Sequence, residues 1–200
     1  MDRVAIFIDG SNFYHALKRA FGRAQIRFDM LAEKLVNSRP GRRLLRIHYY
    51  NAAYDQMTDS QGYRKQQEFF NGLKRTPYLT LKLGRLERRA LDWSTLDSNR
   101  RKDVERLFGQ PLPEYTHVEK GVDVQLAVDM VELAVDNTYD VGILISGDGD
   151  FAPAVELVKK LGKHVELGRV KNWPCYRLLD ACDIEILIDE EMLADCWVEV

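Results

Sequence analysis

The hydrophobic pattern of the chain changes period several times. Val4–Asp9 (VAIFID) is a continuous apolar run that ends in an acid, which predicts a strand covered on both faces. Gly10 and Ser11 then predict a turn and a helix start with Ser11 as its cap, and Phe13, Leu17 and Ala20 give helical spacing over Asn12–Ala20. Phe28–Val36 reads as a second helix and Leu44–Asn51 as the next strand. Gln61–Arg75 carries Phe69, Phe70 and Leu73 on one side of a helix that Thr76-Pro77 stops. Tyr78–Leu86 alternates like an edge strand. Val122–Val135 is helical, with Val124, Ala127, Val128, Val131 and Val135 in one stripe. Val141–Ser146 is a further buried strand, followed by a helix over Phe151–Leu161 closed by Gly162. Short strands at His164–Leu167 and Ile184–Ile188 flank a helix at Arg177–Ala181. This alternation predicts an α/β fold: a mostly parallel central sheet with helices on both faces.

At 200 residues the chain suits one domain over residues 1–200, and 46% hydrophobic with 30% charged residues is ordinary for a globular protein. The stretch 88–118 breaks the alternation and reads as an irregular insertion, with Arg88, Arg89, Arg100, Arg101 and Lys102 interspersed with acids. Those bases, with Trp93, suit either RNA phosphates or a plain solvated surface, the interspersed acids favouring the second. Net charge is −2, from 29 basic and 31 acidic residues, so no global nucleic-acid signature exists. No apolar stretch is long enough to cross a membrane as a helix, and the N-terminal run is too short for a signal peptide, which sets the expectation of a cytoplasmic protein. Cys175, Cys182 and Cys196 show no metal spacing and read as buried thiols. The four histidines are scattered. Tyr49, Tyr50 and Tyr54 suit base stacking, although core packing of at least two fits strand positions better.

The carboxylates carry the chemistry. Asp9 ends the first strand, and Asp148 and Asp150 follow the Val141–Ser146 strand in SGDGDF. If the chain winds outward from the first strand and then returns to its other side, these two strand ends become neighbours at a switch point. Asp123 opens the helix that feeds the second of them, so it lies at the same edge, whereas Asp129, further down that helix, points elsewhere. Each acid taken singly also suits a cap or a turn. Together they call for hard divalent cations, Mg2+ or Mn2+, and for phosphoryl-transfer chemistry. No Walker-type or dinucleotide fingerprint competes with that reading.

IDGSN, EKGVDV and SGDGDF, in this order, resemble the NYN domain, a PIN-like nuclease domain, and most nearly its LabA-like (DUF88) branch, over about residues 3–170. The resemblance implies a three-layer α/β/α PIN-like (Rossmann-like) fold and metal-dependent ribonuclease activity on RNA, with single-stranded RNA as the expected partner. It implies Asp9, Asp123, Asp148 and Asp150 as catalytic, metal-binding acids, Asn12 and Ser146 as supports for metal or phosphate, and Lys120 facing the substrate. The alternative is a non-catalytic RNA-binding or regulatory module with a structural metal site. Apolar Cys196-Trp197-Val198 near the chain end suggests packing on a partner, a homodimer.

Overall fold

The computed structural model describes residues 1–54, 60–94, 97–108, 111, 112 and 114–198, with residues 86–88, 98, 104, 107, 108 and 115–119 as backbone only. Along the chain lie β1 (Asp2–Asp9), α1 (Gly10–Phe21), α2 (Phe28–Asn37), β2 (Arg42–Ala53), α3 (Ser60–Leu73), β3 (Leu79–Ala90), α4 (Ser98–Phe108) and β4 (Tyr115–Lys120). Next come α5 (Val122–Val135), β5 (Val141–Ile145), a single 3-10 turn (Gly149–Phe151), α6 (Ala152–Lys160), β6 (His164–Val170), α7 (Tyr176–Ala181), β7 (Ile184–Ile188) and α8 (Glu190–Leu193). The sheet order is β4-β3-β2-β1-β5-β6-β7. All neighbours run parallel except β4, which is antiparallel to β3. The chain therefore steps outward from β1 to β3 and returns to set β5 on the other side of β1, which creates the expected switch point.

Strand alternation sorts the core into two layers. Val4, Ile6, Ile8, Ile143 and Ile145 face α1, α2, α3 and α8, while Ala5, Phe7, Leu144 and Leu167 face α5, α6 and α7. Both faces of β1 are covered, so its whole run from Val4 to Ile8 is buried. This is a three-layer α/β/α arrangement of the PIN-like kind.

Four local expectations change. First, α1 begins at Gly10, and its cap is Asp9 rather than Ser11. An extended strand residue that ends beside the first helical turn already points its carboxylate at the free N–H groups. Second, α5 turns its expected stripe outward. Val124, Val128 and Val135 are exposed, while Val122, Leu126, Met130 and Ala134 are buried. This helix is apolar around most of its circumference, so partners decide its rotation. Asp129, on the buried side, accepts hydrogen bonds from the Tyr50 hydroxyl (2.7 Å) and Lys82 Nζ (2.6 Å), which satisfies it beneath the helix.

Third, the stretch 88–118 is not irregular throughout: its described residues include the end of β3, α4 and most of β4. β3 runs on past its last β2 partner, Arg85 opposite Ala53, and Arg85–Ala90 then pairs with Lys120–Tyr115. The result is a two-stranded arm beyond the carboxyl edge of the sheet. Arg100 pairs with Asp97 (3.5 Å), just before α4, and Arg101 with Glu105 (3.9 Å) within it, all as surface contacts. Pro113 and the Arg88 and Glu119 side chains lie outside the described residues. Fourth, Cys196 and Trp197 at the apolar chain end pack on their own chain, while Val198 stays exposed. Cys196 is buried, Trp197 bridges to Ile26, and the Arg23 guanidinium lies 4.0 Å from the Trp197 ring centre. Among the described residues no helix is long and apolar enough to cross a membrane.

Tyr49 and Tyr50 are core residues and Tyr54 is half exposed. Cys175, Cys182 and Cys196 are free thiols, and burial pushes the Cys182 thiol up to about 12, far from a working nucleophile. His48 stacks on Phe7 and is held neutral, its pKa pushed down to about 4 by burial first and by Lys82 next.

Candidate functional site

Ile8 sits opposite Ile145 in the parallel ladder, so Asp9 and Ser146 leave the sheet side by side. By alternation both point toward the α5–α6 layer. There the Ser146 hydroxyl donates to Asp9 Oδ2 (2.9 Å) and accepts from the Asp148 N–H (3.1 Å). The Asn12 N–H donates to Asp9 Oδ1 (3.2 Å), and the Asp150 N–H to Asp148 Oδ1 (2.9 Å). Asp9 thus caps α1 and Asp148 caps the 3-10 turn. Those capping duties coexist with a second property that caps do not need. Asp9 is 4% exposed and its hydrogen-bond donors are neutral. Its pKa is pushed up to about 6, mainly by burial, against the two hydrogen bonds and with the charges of Asp123 and Asp148 adding to the rise.

Asp123 reaches the same edge by another route. β4 ends at Lys120, opposite Arg85, and Gly121 turns the chain at φ 83°, a left-handed conformation that suits glycine. α5 starts immediately and carries Asp123 in its first turn. The Asp123 side chain reaches solvent, and its pKa is raised by partial burial first, then by Asp148 and Asp150. Asp9, Asp123 and Asp148 therefore lie within electrostatic range of one another. Asp150 is exposed and leans toward Arg177 Nη1 at 3.4 Å. Asn12 is half buried and contributes its N–H; Lys120 is exposed at the base of the arm; Ser146 is wholly buried and holds two acids in place.

As the side chains stand, no three Asp, Glu, His or Cys groups among the described residues close on one point tightly enough to hold an ion. Repulsion keeps like charges apart. The donor chemistry nonetheless fits a hard divalent cation: the set is all carboxylate oxygen, and its members raise one another's proton affinity. Positive charge of either kind, proton or metal, is favoured there.

Two residues at this edge come from the part of the chain that matches no motif. Trp173 lies against Gly147, where a Cβ would come within 2.3 Å of the indole Nε1. Arg177 lies against Gly149, where a Cβ would meet its Cδ at 2.9 Å. The glycines of SGDGDF thus let Trp173 and Arg177 close over the acidic loop, and Arg177 brings positive charge to its rim. Their alternation with the acids was the sequence signal, although it does not name what packs on them. Gly147→Ala is expected to push Trp173 out and lower stability by about 1–3 kcal/mol, the cost of overpacking, read as a fall in melting temperature.

Three comparisons bear on this site. A crystal structure of a protein of unknown function, VPA0982 from Vibrio parahaemolyticus, superposes with a TM-score of 0.61 at 22% identity, covering 95% of this chain and 94% of that one. At that identity the likeness concerns the fold. No curated protein matches the chain. The family model of the NYN domain matches residues 3–189, which include all of β1 but its first residue, α5, β5 and both residues that close over the acidic loop. The chain therefore belongs to the NYN domain family, part of the PIN-like nuclease superfamily.

Proposed function

We propose that this chain is a divalent-metal-dependent ribonuclease, with its motifs closest to the LabA-like branch. The observation that carries the reading is the grouping of Asp9, Asp123 and Asp148 at the β1–β5 switch point. Asp9 there is buried, bound by neutral donors and raised to a pKa of about 6. A purely structural cap gains nothing from that environment, whereas active sites often shift pKa values in this way.

Asp9, Asp123, Asp148 and Asp150 would hold Mg2+ or Mn2+. Such an ion lowers the pKa of a water and offsets charge on the phosphate and leaving oxygen. The chain supplies the rest. Asn12 and Ser146 fix the Asp9 carboxylate from two sides, so its orientation does not reorganise during reaction. Ser146 also carries the Asp148 N–H, which ties the two strand ends together. Lys120 and Arg177 flank the acids and are placed to take phosphate negative charge. Trp173 against Gly147 limits how far the loop opens toward water.

Incubation of single-stranded RNA with Mn2+ tests the reading. Shortening of the RNA that stops with EDTA is the expected result. A gel shift without shortening in Mn2+ or Mg2+ would return the chain to an RNA-binding module.

A further inference from the structure

We infer that the cavity between α1, the end of β2 and α3 is a nucleobase-binding pocket, which takes the base of a single-stranded RNA nucleotide next to the scissile phosphate. The inference rests on the ribonuclease reading for its substrate and on independent geometry for its place. The cavity measures about 310 Å3, at the lower end of the range of small-molecule sites. Tyr14, Tyr54 and Phe69 line it while remaining 47%, 47% and 37% exposed. Three large aromatic side chains half in water around one hollow are costly unless something flat covers them. The inner wall is already rigid: the Phe69 ring lies 5.9 Å from Tyr49 and 6.3 Å from Phe28, centre to centre.

Polar groups are placed to read an edge. Asn51 follows Tyr50, the β2 partner of Asp9, and alternation turns it to the cavity side. Its Oδ1 accepts from the Ala52 N–H (2.8 Å), which leaves the amide Nδ2 for a ligand acceptor. Gln66 is occupied instead in bracing the wall: Nε2 donates to the Ala52 carbonyl (2.9 Å), and Oε1 accepts from the Tyr54 N–H (2.7 Å). Lys65 stands exposed at the rim, where a phosphate would pass.

The position relative to the acids selects a polynucleotide. Ser11 lines the cavity two residues after Asp9, and Tyr14 is five residues after it, about 7.5 Å along α1 at 1.5 Å per residue. That span is close to one nucleotide of an extended strand. The cavity opens on the α1–α3 side of the sheet edge and the acids face the α5 side. A strand draped across the β1–β2 edge reaches both, base in the hollow and phosphate at the carboxylates.

The test uses a short fluorescent single-stranded RNA carrying thiouridine, with Ca2+ in place of Mn2+, against the full chain and Tyr14→Ala, Tyr54→Ala and Tyr54→Phe. Both alanine variants should weaken binding about 5- to 100-fold, the range for loss of one base stack. Tyr54→Phe, which keeps the ring, should bind close to wild type, and an unchanged melting temperature shows that the fold is kept. Photocrosslinks should map to peptides holding Tyr14, Tyr54 or Phe69. RNA that is cleaved in Mn2+ but crosslinks elsewhere, with alanine variants binding like wild type, overturns the pocket and leaves the nuclease standing. RNA that crosslinks in the cavity and is never cleaved does the reverse. A chain that neither binds nor cleaves the RNA overturns both.

Discussion

Asp148→Asn and Asp9→Asn are each expected to lower RNA cleavage in saturating Mn2+ by at least about a hundredfold, the scale seen when a key electrostatic contact to the transition state is lost. Asparagine is the informative replacement because it keeps the local structure. Asp148 uses one oxygen to cap the 3-10 turn, and an amide oxygen serves as well. In Asp9→Asn the amide oxygen can accept from the Asn12 N–H, while the amide nitrogen donates to Ser146 Oγ, whose hydroxyl proton rotates away. Asp148→Asn thus removes a charge and little else, whereas Asp9→Asn also costs the buried Ser146 hydroxyl its acceptor. Asp150→Asn should cost less, since Asp150 is exposed and turned toward Arg177. The measurement is initial cleavage rate on single-stranded RNA well below the melting temperature of every variant. Wild-type rates in both Asp9→Asn and Asp148→Asn would remove the carboxylates from the reaction.

Legibility in the sequence followed burial. β1 and β5 are covered on both faces, so their apolar runs stand out, and the expectation that these two strands lie side by side agrees with the parallel ladder. The arm formed by Arg85–Ala90 and Tyr115–Lys120 projects past the sheet. It is held by ladder hydrogen bonds beyond the last β2 partner, and the strand alternation legible in the sequence stops at Leu86. α5 failed differently: its valines and its Leu126–Met130–Ala134 row both repeat at helical spacing, and only the presence of Tyr50 and Lys82 beneath Asp129 selects the second. Trp173 and Arg177 reach the site through tertiary packing from a segment after β6. Gly147 and Gly149 alternate with the acids in the sequence, which suits a tight turn and does not show what packs on them. The cavity was half legible: Tyr54 drew attention as an aromatic at a strand end, but Tyr14 and Phe69 come from helices whose rotation depends on the assembled core.

The buried Asp9 carboxyl should make the metal-free protein less stable at neutral pH than in mild acid, the reverse of ordinary acid denaturation. Its pKa rises from 3.8 to about 6 on folding, mainly through burial. A raised acid favours the native state when protonated. Its contribution is complete below the unfolded value and is lost as pH climbs through about 6. The difference of roughly two pH units corresponds to about 3 kcal/mol. Asp123, also raised, acts in the same direction. Asp140 acts the other way: hydrogen bonds from Arg3 hold it far below the usual carboxylate range, so its contribution is lost only in stronger acid. The two windows separate near pH 4. In EDTA, wild-type stability relative to Asp9→Asn should therefore fall between about pH 4 and pH 6 by up to about 3 kcal/mol. Asp148→Asn should melt at or above wild type at pH 7, because it relieves Asp9 and Asp123 of a like charge. Mn2+ at about a hundred times its dissociation constant should restore about 2.7 kcal/mol at pH 7. That rise should shrink below pH 6 as protons compete for the same oxygens. Melting curves of wild type, Asp9→Asn and Asp148→Asn over this pH range, each with EDTA and with Mn2+, provide the check. Parallel pH profiles for wild type and Asp9→Asn, beside a wild type indifferent to Mn2+, would show that these carboxylates are caps alone and that no divalent ion joins them.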